Sequence, residues 1–369
     1  MRRFALVIGL LVASATAAGA ATAAPPESPI PVFAYHYIWF NATSWERAKT
    51  DYPLLGRYSS DETAVIRQQI RWAKEAGIDA FIVSWKSTPT LNRRLEKLIR
   101  VARTRDFQLA VIYQGLDFER EPLPIEQVRE DMQLFARMYA RDSVFATLKK
   151  PLLIWSGTWR YTRAQIDSVA TPLRRQLYVL ATERSIGGYR RLADLVDGNA
   201  YYWSSGDPVT TPGYTKKLEE MGALVHQTGG LWIAPVVPGF DARLVGGHSV
   251  VPRRQGETLR HSLGAAIASS PDAIGLISWN EFSENTHVEP SERYGASSLR
   301  QLSDALGAGF VMGADFDSSE PAATDIGHGR PMLLGLVAFM FVGVFTFIWR
   351  VRHDGSNGPP TAMTGGRTS

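Results

Sequence analysis

Eight short apolar runs recur along the chain, most of them followed by a stretch of helical length, and this alternation limits the fold more than any other feature. The runs are residues 32–39, 78–85, 108–114, 151–156, 177–182, 198–204, 232–237 and 273–279. Near-continuous apolar strands, without the in-out polar alternation of a half-exposed sheet, belong to parallel sheets covered on both faces. The segments between them have helical periodicity. Residues 61–76 repeat Val65, Ile66, Ile70, Ala73 and Ala76, open with the N-capping and first-turn chemistry of Ser60-Asp61-Glu62, and stop at Gly77. Residues 91–101, 125–139, 163–174, 214–227, 257–268 and 297–306 have the same character, whereas only 186–194 is available between the fifth and sixth runs. Eight such units predict an α/β chain folded as a (β/α)8 TIM barrel, and about 285 residues is the length expected of one. No glycine-rich phosphate loop follows the first run, which counts against a dinucleotide-binding sheet.

The two ends read differently. Residues 1–24 combine Arg2 and Arg3, an apolar stretch from Phe4 to Ala13 and small residues near Ala21-Thr22-Ala23, the pattern of a signal peptide, with a retained anchor as the alternative. Residues 331–349 are uncharged and long enough for a transmembrane helix, with Trp349 at the interface and Arg350 and Arg352 behind it. The positive-inside bias then places 350–369 as a cytoplasmic tail, 311–330 as a stalk and 25–310 as an extracytoplasmic domain. The expected location is therefore the cell membrane, with a single span. The ends also account for the formal charge of +4, so the remainder is neutral and has no basic stripe for nucleic acid. The absence of cysteine removes disulfides and thiolate metal sites. Among His36, His226, His248, His261 and His287 no pair has helical ligand spacing, so neither a metal nor a cofactor is expected.

In such a barrel the C-terminal ends of the strands form the active face. The first end carries His36, Tyr37 and Trp39; the second Trp85; the third Tyr113; the fourth Trp155. The sixth carries Tyr202 and Trp203, and the eighth carries Asn280, His287 and a cluster of carboxylates. Aromatic faces stack on sugar rings, and amides and carboxylates bind hydroxyls, so this rim suits an oligo- or polysaccharide. Core packing is the competing reading for each single aromatic. Glu281 and Glu284 are three apart, and a helical turn after Asn280 would bring their Cβ atoms within about 5–6 Å. Two carboxyls in one partly desolvated cleft divide into an acid and a base, as glycoside hydrolysis requires, and a carboxyl separation of about 5–5.5 Å suits retention. Spacing alone leaves solvated loop carboxylates as an equal reading.

Three stretches resemble glycoside hydrolase family 99, the retaining endo-α-mannosidases and endo-α-mannanases. They are LGRYSSDETAVIRQQIRWAKEAGIDAFIVSW (55–85), KPLLIWSG (150–157) and above all SWNEFSENTHVEPS (278–291). The resemblance implies that Glu281 is a general base acting on the substrate's own 2-hydroxyl, so that a 1,2-anhydro sugar forms. It implies that Glu284 is the acid/base on the leaving oxygen, and that Glu289 is structural. Ser283, Asn285 and His287 depart from the family signature, so the resemblance carries the acid/base pair and leaves the glycan and its linkage open. A non-catalytic glycan-binding or wall-tethering barrel, and a trimming enzyme or transglycosylase of polysaccharide export, are the rival expectations.

Overall fold

Each of the eight apolar runs forms a parallel strand: β1 Val32–Tyr37, β2 Ala80–Trp85, β3 Gln108–Gln114, β4 Leu152–Ser156, β5 Tyr178–Leu180, β6 Gly198–Ala200, β7 Leu231–Val236 and β8 Ala273–Leu276. The computed structural model describes residues 30–312. The expected leader, the apolar span, the tail and the stalk beyond Met312 lie outside the described residues. Among the described residues no helix is long and apolar enough to cross a membrane.

The ladder runs β5-β4-β3-β2-β1-β8-β7-β6. It closes where Ala181, just past β5, donates to Gly198 O (3.0 Å) and accepts from Ala200 N (2.8 Å). Helices α1 (Thr63–Glu75), α2 (Pro89–Thr104), α3 (Ile125–Met138), α4 (Arg163–Leu173), α5 (Ile186–Arg190), α6 (Tyr214–Gln227), α7 (Glu257–Ala268) and α8 (Ser297–Leu306) surround the strands. Strand side chains alternate between two apolar layers. Phe33, Tyr35, Ile82, Ile112, Ile154 and Ile233 fill the barrel. Phe81, Val83, Trp85, Val111, Tyr113 and Trp155 pack outward beneath the helices. At the opposite end from the rim, Asp79, Asp197 and Asp272 accept the Val32, Val179 and Trp232 N–H groups at 2.8, 2.9 and 2.7 Å. Each satisfies a backbone donor in the first two residues of a strand.

Several expected boundaries move. The runs continue past the strands, through Trp39, Thr182, Tyr202 and Trp279, because those residues enter buried or half-buried rim loops rather than the ladder. The first helix starts at Thr63, and its N-cap Glu62 makes no side-chain cap. Asp61 instead faces α2, where it meets Arg93 (3.3 Å), Arg94 (2.9 Å) and Lys97 (3.5 Å). The short fifth helix is capped by Ser185, which accepts Gly188 N at 3.1 Å.

Closure depends on one glycine. Gly198 has φ +153°, and a Cβ there would lie 2.0 Å from Leu231 O. Gly198→Ala should therefore destabilise the protein by about 3 kcal/mol or more, read as a lower urea midpoint. Gly264→Ala, in α7 with open space around the new methyl, should instead stabilise by about 0.5–1 kcal/mol.

Candidate active site

The chain leaves β8 still stitched to both neighbours: Ile277 donates to Val236 O (2.8 Å) and Trp279 to Tyr35 O (2.7 Å). The following segment folds back on itself, with Ser278 donating to Thr286 O (2.9 Å), Val288 to Ser278 O (3.0 Å) and Glu289 to Trp279 O (2.9 Å). In place of the expected helical turn, residues 282–285 form a turn that ends on Asn285 at φ +54°. Arg253 fastens its far side, donating to Asn285 O (3.0 Å) and His287 O (2.7 Å). The loop's backbone is therefore paired at most of its points, and its carboxylates stand on a rigid base.

Glu281 is buried, and its Oε1 accepts the Ser283 N–H at 3.0 Å. Glu284 is half-buried. Tyr37 and Tyr202, from the ends of β1 and β6, meet hydroxyl to hydroxyl at 2.6 Å. The charge of each glutamate acts on each of these tyrosines, so the four groups share one space. Burial, and then the charge of Glu284, push Glu281 up to about 8, against the pull of the Ser283 N–H and Lys49. Burial raises Glu284 as well, against Arg120. Two carboxyls so placed resist being ionised together.

The remaining predicted residues divide by strand register. Tyr35 and Tyr37 face inward, so His36 between them faces α1. There its Nε2 meets Gln69 Oε1 at 3.2 Å, its ring stacks on Phe81, and burial lowers it to about 4. Trp85, Tyr113 and Trp155 likewise lie in the outer layer, fully covered. Trp85 Nε1 donates to Asn92 Oδ1 (2.9 Å) and Tyr113 Oη to Asp131 Oδ2 (3.0 Å), while Trp155 packs on Tyr161. Trp203 turns outward too, between Tyr201 and Tyr214. Trp39 stays half-buried at the mouth, stacked on Tyr37 with centroids 4.3 Å apart. His287 sits under the loop, stacked on Phe282, with Nε2 at 3.2 Å from Asp51. Burial, then the charge of Arg253, push His287 down to about 4. Burial alone would raise Asp51, but hydrogen bonds from His287, Ser291 and the Arg293 N–H bring it to about 2. At neutral pH a neutral imidazole thus donates to a carboxylate.

Asn280, buried without exposure, binds protein rather than the open mouth. Its Oδ1 accepts Tyr37 N (2.8 Å), and its Nδ2 donates to Tyr37 O (2.9 Å) and Tyr58 Oη (3.2 Å). Behind it, Tyr58 donates to Glu289 Oε2 (2.8 Å) and Gln69 Nε2 to Glu289 Oε1 (2.9 Å). Sequence reasoning missed Lys49, Tyr58, Gln69, Arg120 and Arg253. Only Gln69 left a readable signal: it is a polar residue within the apolar stripe of α1, beside Val65, Ile66 and Ile70. Among the described residues no group of three His, Asp or Glu side chains is placed to hold a metal.

Residues 41–303 match the model of glycosyl hydrolase family 99. The chain belongs to that family. It is accordingly a glycoside hydrolase, and its matched segment contains the carboxylate pair, Tyr202 and the Tyr58–Glu289 contact. The solved structure of the family 99 endo-α-mannosidase from Bacteroides thetaiotaomicron, bound to bis-tris propane, superposes with a TM-score of 0.64 at 19% identity, covering 75% of this chain and 95% of that one. A structure described as a glycoside hydrolase-like protein gives 0.61 at 14% identity, covering 78% and 97%. At these identities the likeness shows the fold. No curated protein matches the chain.

The buried Glu289 of this hydrolase has a thermodynamic consequence. Burial pushes it up to about 8, more than Gln69 and Tyr58 pull it down. A carboxyl raised on folding contributes stability that is present below its unfolded value of about 4.3 and is lost as the pH rises through its folded one. The melting temperature should fall between about pH 5 and pH 8, and Glu289→Gln should flatten that fall. Melts of equal slope for the two proteins would contradict the assignment.

Proposed function

We propose that this family 99 enzyme is a membrane-anchored, extracytoplasmic, retaining glycosidase that cleaves an α-linked, mannan-like glycan, with Glu281 as base and Glu284 as acid. The observation that carries the reading is the pairing of buried Glu281 with half-buried Glu284, whose charges both reach the Tyr37–Tyr202 hydroxyls at the C-terminal mouth of the barrel. In the first step Glu281 takes the proton of the sugar's 2-hydroxyl, O2 bonds to C1, the C1–leaving-oxygen bond breaks, and Glu284 gives its proton to that oxygen. In the second, Glu284 takes a proton from water, the water oxygen bonds to C1, the C1–O2 bond breaks, and Glu281 returns its proton to O2. Two inversions at C1 give retention.

The electrostatics supports this division. Part of the upward push on Glu281 is the charge of Glu284. Protonating Glu284 removes that part, which moves Glu281 toward ionisation with the help of the Ser283 N–H and Lys49, against the burial that remains the larger influence. A charge on Glu281 and a proton on Glu284 is the arrangement the first step requires. A glycan-binding barrel without turnover needs no such pair.

Glu284→Gln should lower kcat/KM about a thousand-fold on a natural glycan, and far less on a substrate with a good aryl leaving group. An equal loss on both would remove Glu284 from the acid role. Activity should follow a bell in pH whose alkaline limb falls near about 8, where the pair loses its last proton. Nuclear magnetic resonance of the first-formed product reads retention directly, and mixed acceptors separate hydrolysis from transglycosylation.

The anchor rests on the apolar residues 331–349 and the arginines behind them. Truncation after Met312 should move the protein from the membrane fraction to the medium. Recovery of the truncated protein still in the membrane would count against a C-terminal anchor.

A further inference from the structure

Glu281 is held by a peptide unit whose other edge is gripped by a different segment of the chain. Its Oε1 accepts the Ser283 N–H at 3.0 Å, so the donor is the peptide joining Phe282 to Ser283. The carbonyl of that same peptide, Phe282 O, accepts twice from Thr50 on the loop after β1: the hydroxyl at 2.7 Å and the backbone N–H at 3.1 Å. In a trans peptide the C=O and N–H point in opposite directions within one plane. Fixing the carbonyl therefore fixes the direction of the N–H, and Thr50 aims that N–H at the carboxylate.

The two ends of this relay are anchored separately from it. The Phe282 ring is fully buried, stacked on His287 with centroids 4.2 Å apart and edge-on to Trp45 with centroids 5.7 Å apart. The Glu281 N–H donates to Ser278 Oγ at 2.9 Å. After Thr50 the chain runs on along the carboxylate loop: Leu54 donates to Pro290 O (2.9 Å), Glu292 to Tyr52 O (2.8 Å), and Asp51 Oδ1 accepts the Arg293 N–H (3.0 Å). Thr50 is thus the first point of a strap that several other bonds hold in place.

Hydrogen bonds in series polarise one another. Two donors on Phe282 O draw electron density through the amide and make the Ser283 N–H a stronger donor to a charged carboxylate. Burial and the charge of Glu284 oppose ionisation of Glu281, while the Ser283 N–H, Lys49 and the Ser283 side chain favour it. Tyr37 and Tyr202 are the other titratable groups on this space, and burial followed by neighbouring charge keeps both protonated.

We propose that Thr50 is a positioning residue for the reaction, acting through the Phe282–Ser283 peptide to hold and orient the carboxylate of Glu281. The inference rests on the reading of Glu281 as the base and adds a residue of the β1 loop to its control.

Thr50→Val keeps the shape and the backbone N–H but removes the hydroxyl, and Thr50→Ser keeps the hydroxyl. Nuclear magnetic resonance of the full-length protein, labelled in the glutamate carboxyls and the backbone amides, follows Glu281 and Ser283 without substrate. In the unsubstituted protein the Ser283 amide proton should titrate with the same midpoint as the Glu281 carboxyl, as a bond between them requires. A weaker donor leaves the charged form less stabilised. In Thr50→Val the Glu281 midpoint should therefore move up by about 0.3–1 in pH, with the Ser283 amide proton shifted upfield. Thr50→Ser should restore both. On an aryl α-mannobioside, Thr50→Val should lower kcat about three- to ten-fold with KM within about two-fold, and Thr50→Ser should recover it. The resonance measurements decide the proposal whether or not this glycoside is turned over. A Ser283 amide indifferent to the Glu281 titration, which needs no variant to observe, overturns it. So does a midpoint left in place by Thr50→Val, even with a lower melting temperature, since that is the mark of packing alone. Midpoints that move as expected in a protein whose Glu281→Gln variant keeps full turnover would uphold the positioning while ending the reading of Glu281 as base.

Discussion

The mouth of this barrel is organised by one side-chain amide. Asn280 grips both backbone polar atoms of Tyr37, at 2.8 and 2.9 Å, just where β1 and β8 part and the ladder can no longer join them. The contact works as one more rung, made by a side chain. It fixes the start of the carboxylate loop against the end of β1, so that Glu281 and Tyr37, 244 residues apart in the chain, face the same space. The third arm of Asn280 reaches Tyr58 and through it Glu289 and Gln69. Helix α1 is thereby tied into the same frame, and the position of the pair is determined from β1, β8 and α1 together.

That frame carries an unfavourable load. Glu281 and Glu289 are both pushed to about 8 by burial, which outweighs the pull of the Ser283 N–H and Lys49 on the first and of Gln69 and Tyr58 on the second. A chain with no cysteine holds such groups through core area and backbone pairing alone. The two apolar layers of the strands supply the first. The doubled-back loop, with Arg253 donating to two of its carbonyls, supplies the second. Strain of this kind is common at functional sites, where the surrounding structure over-determines a locally poor arrangement.

All eight strands were legible in the sequence because a strand covered on both faces leaves an uninterrupted apolar run. The same signal misjudged where strands end, since Trp279 is as buried in a rim loop as it would be in a ladder. It was also blind to direction. An apolar run gives no alternation from which to read which residues face inward, so His36, Trp85, Tyr113, Trp155 and Trp203 were expected at the mouth and lie outside it. Glu281 and Glu284 were legible because they are neighbours in one motif. Lys49, Arg120 and Arg253 were not, because each comes from a loop distant in sequence whose approach is decided only by closure of the barrel. Asn280 was found for the wrong reason: an amide beside two carboxylates reads as a sugar ligand, and its work is to hold backbone.

On the proposed mechanism, the difference between the two glutamates comes from what surrounds them rather than from their chemistry. Glu281 is the more covered, yet it alone receives a backbone N–H from the loop and feels Lys49. Glu284 is more open, receives the field of Arg120, and has its own carbonyl tied to Asp241 N at 2.7 Å. The more open member of the pair is the one that can meet both a departing oxygen and an arriving water, while the covered member needs only to exchange one proton with a hydroxyl of the bound sugar.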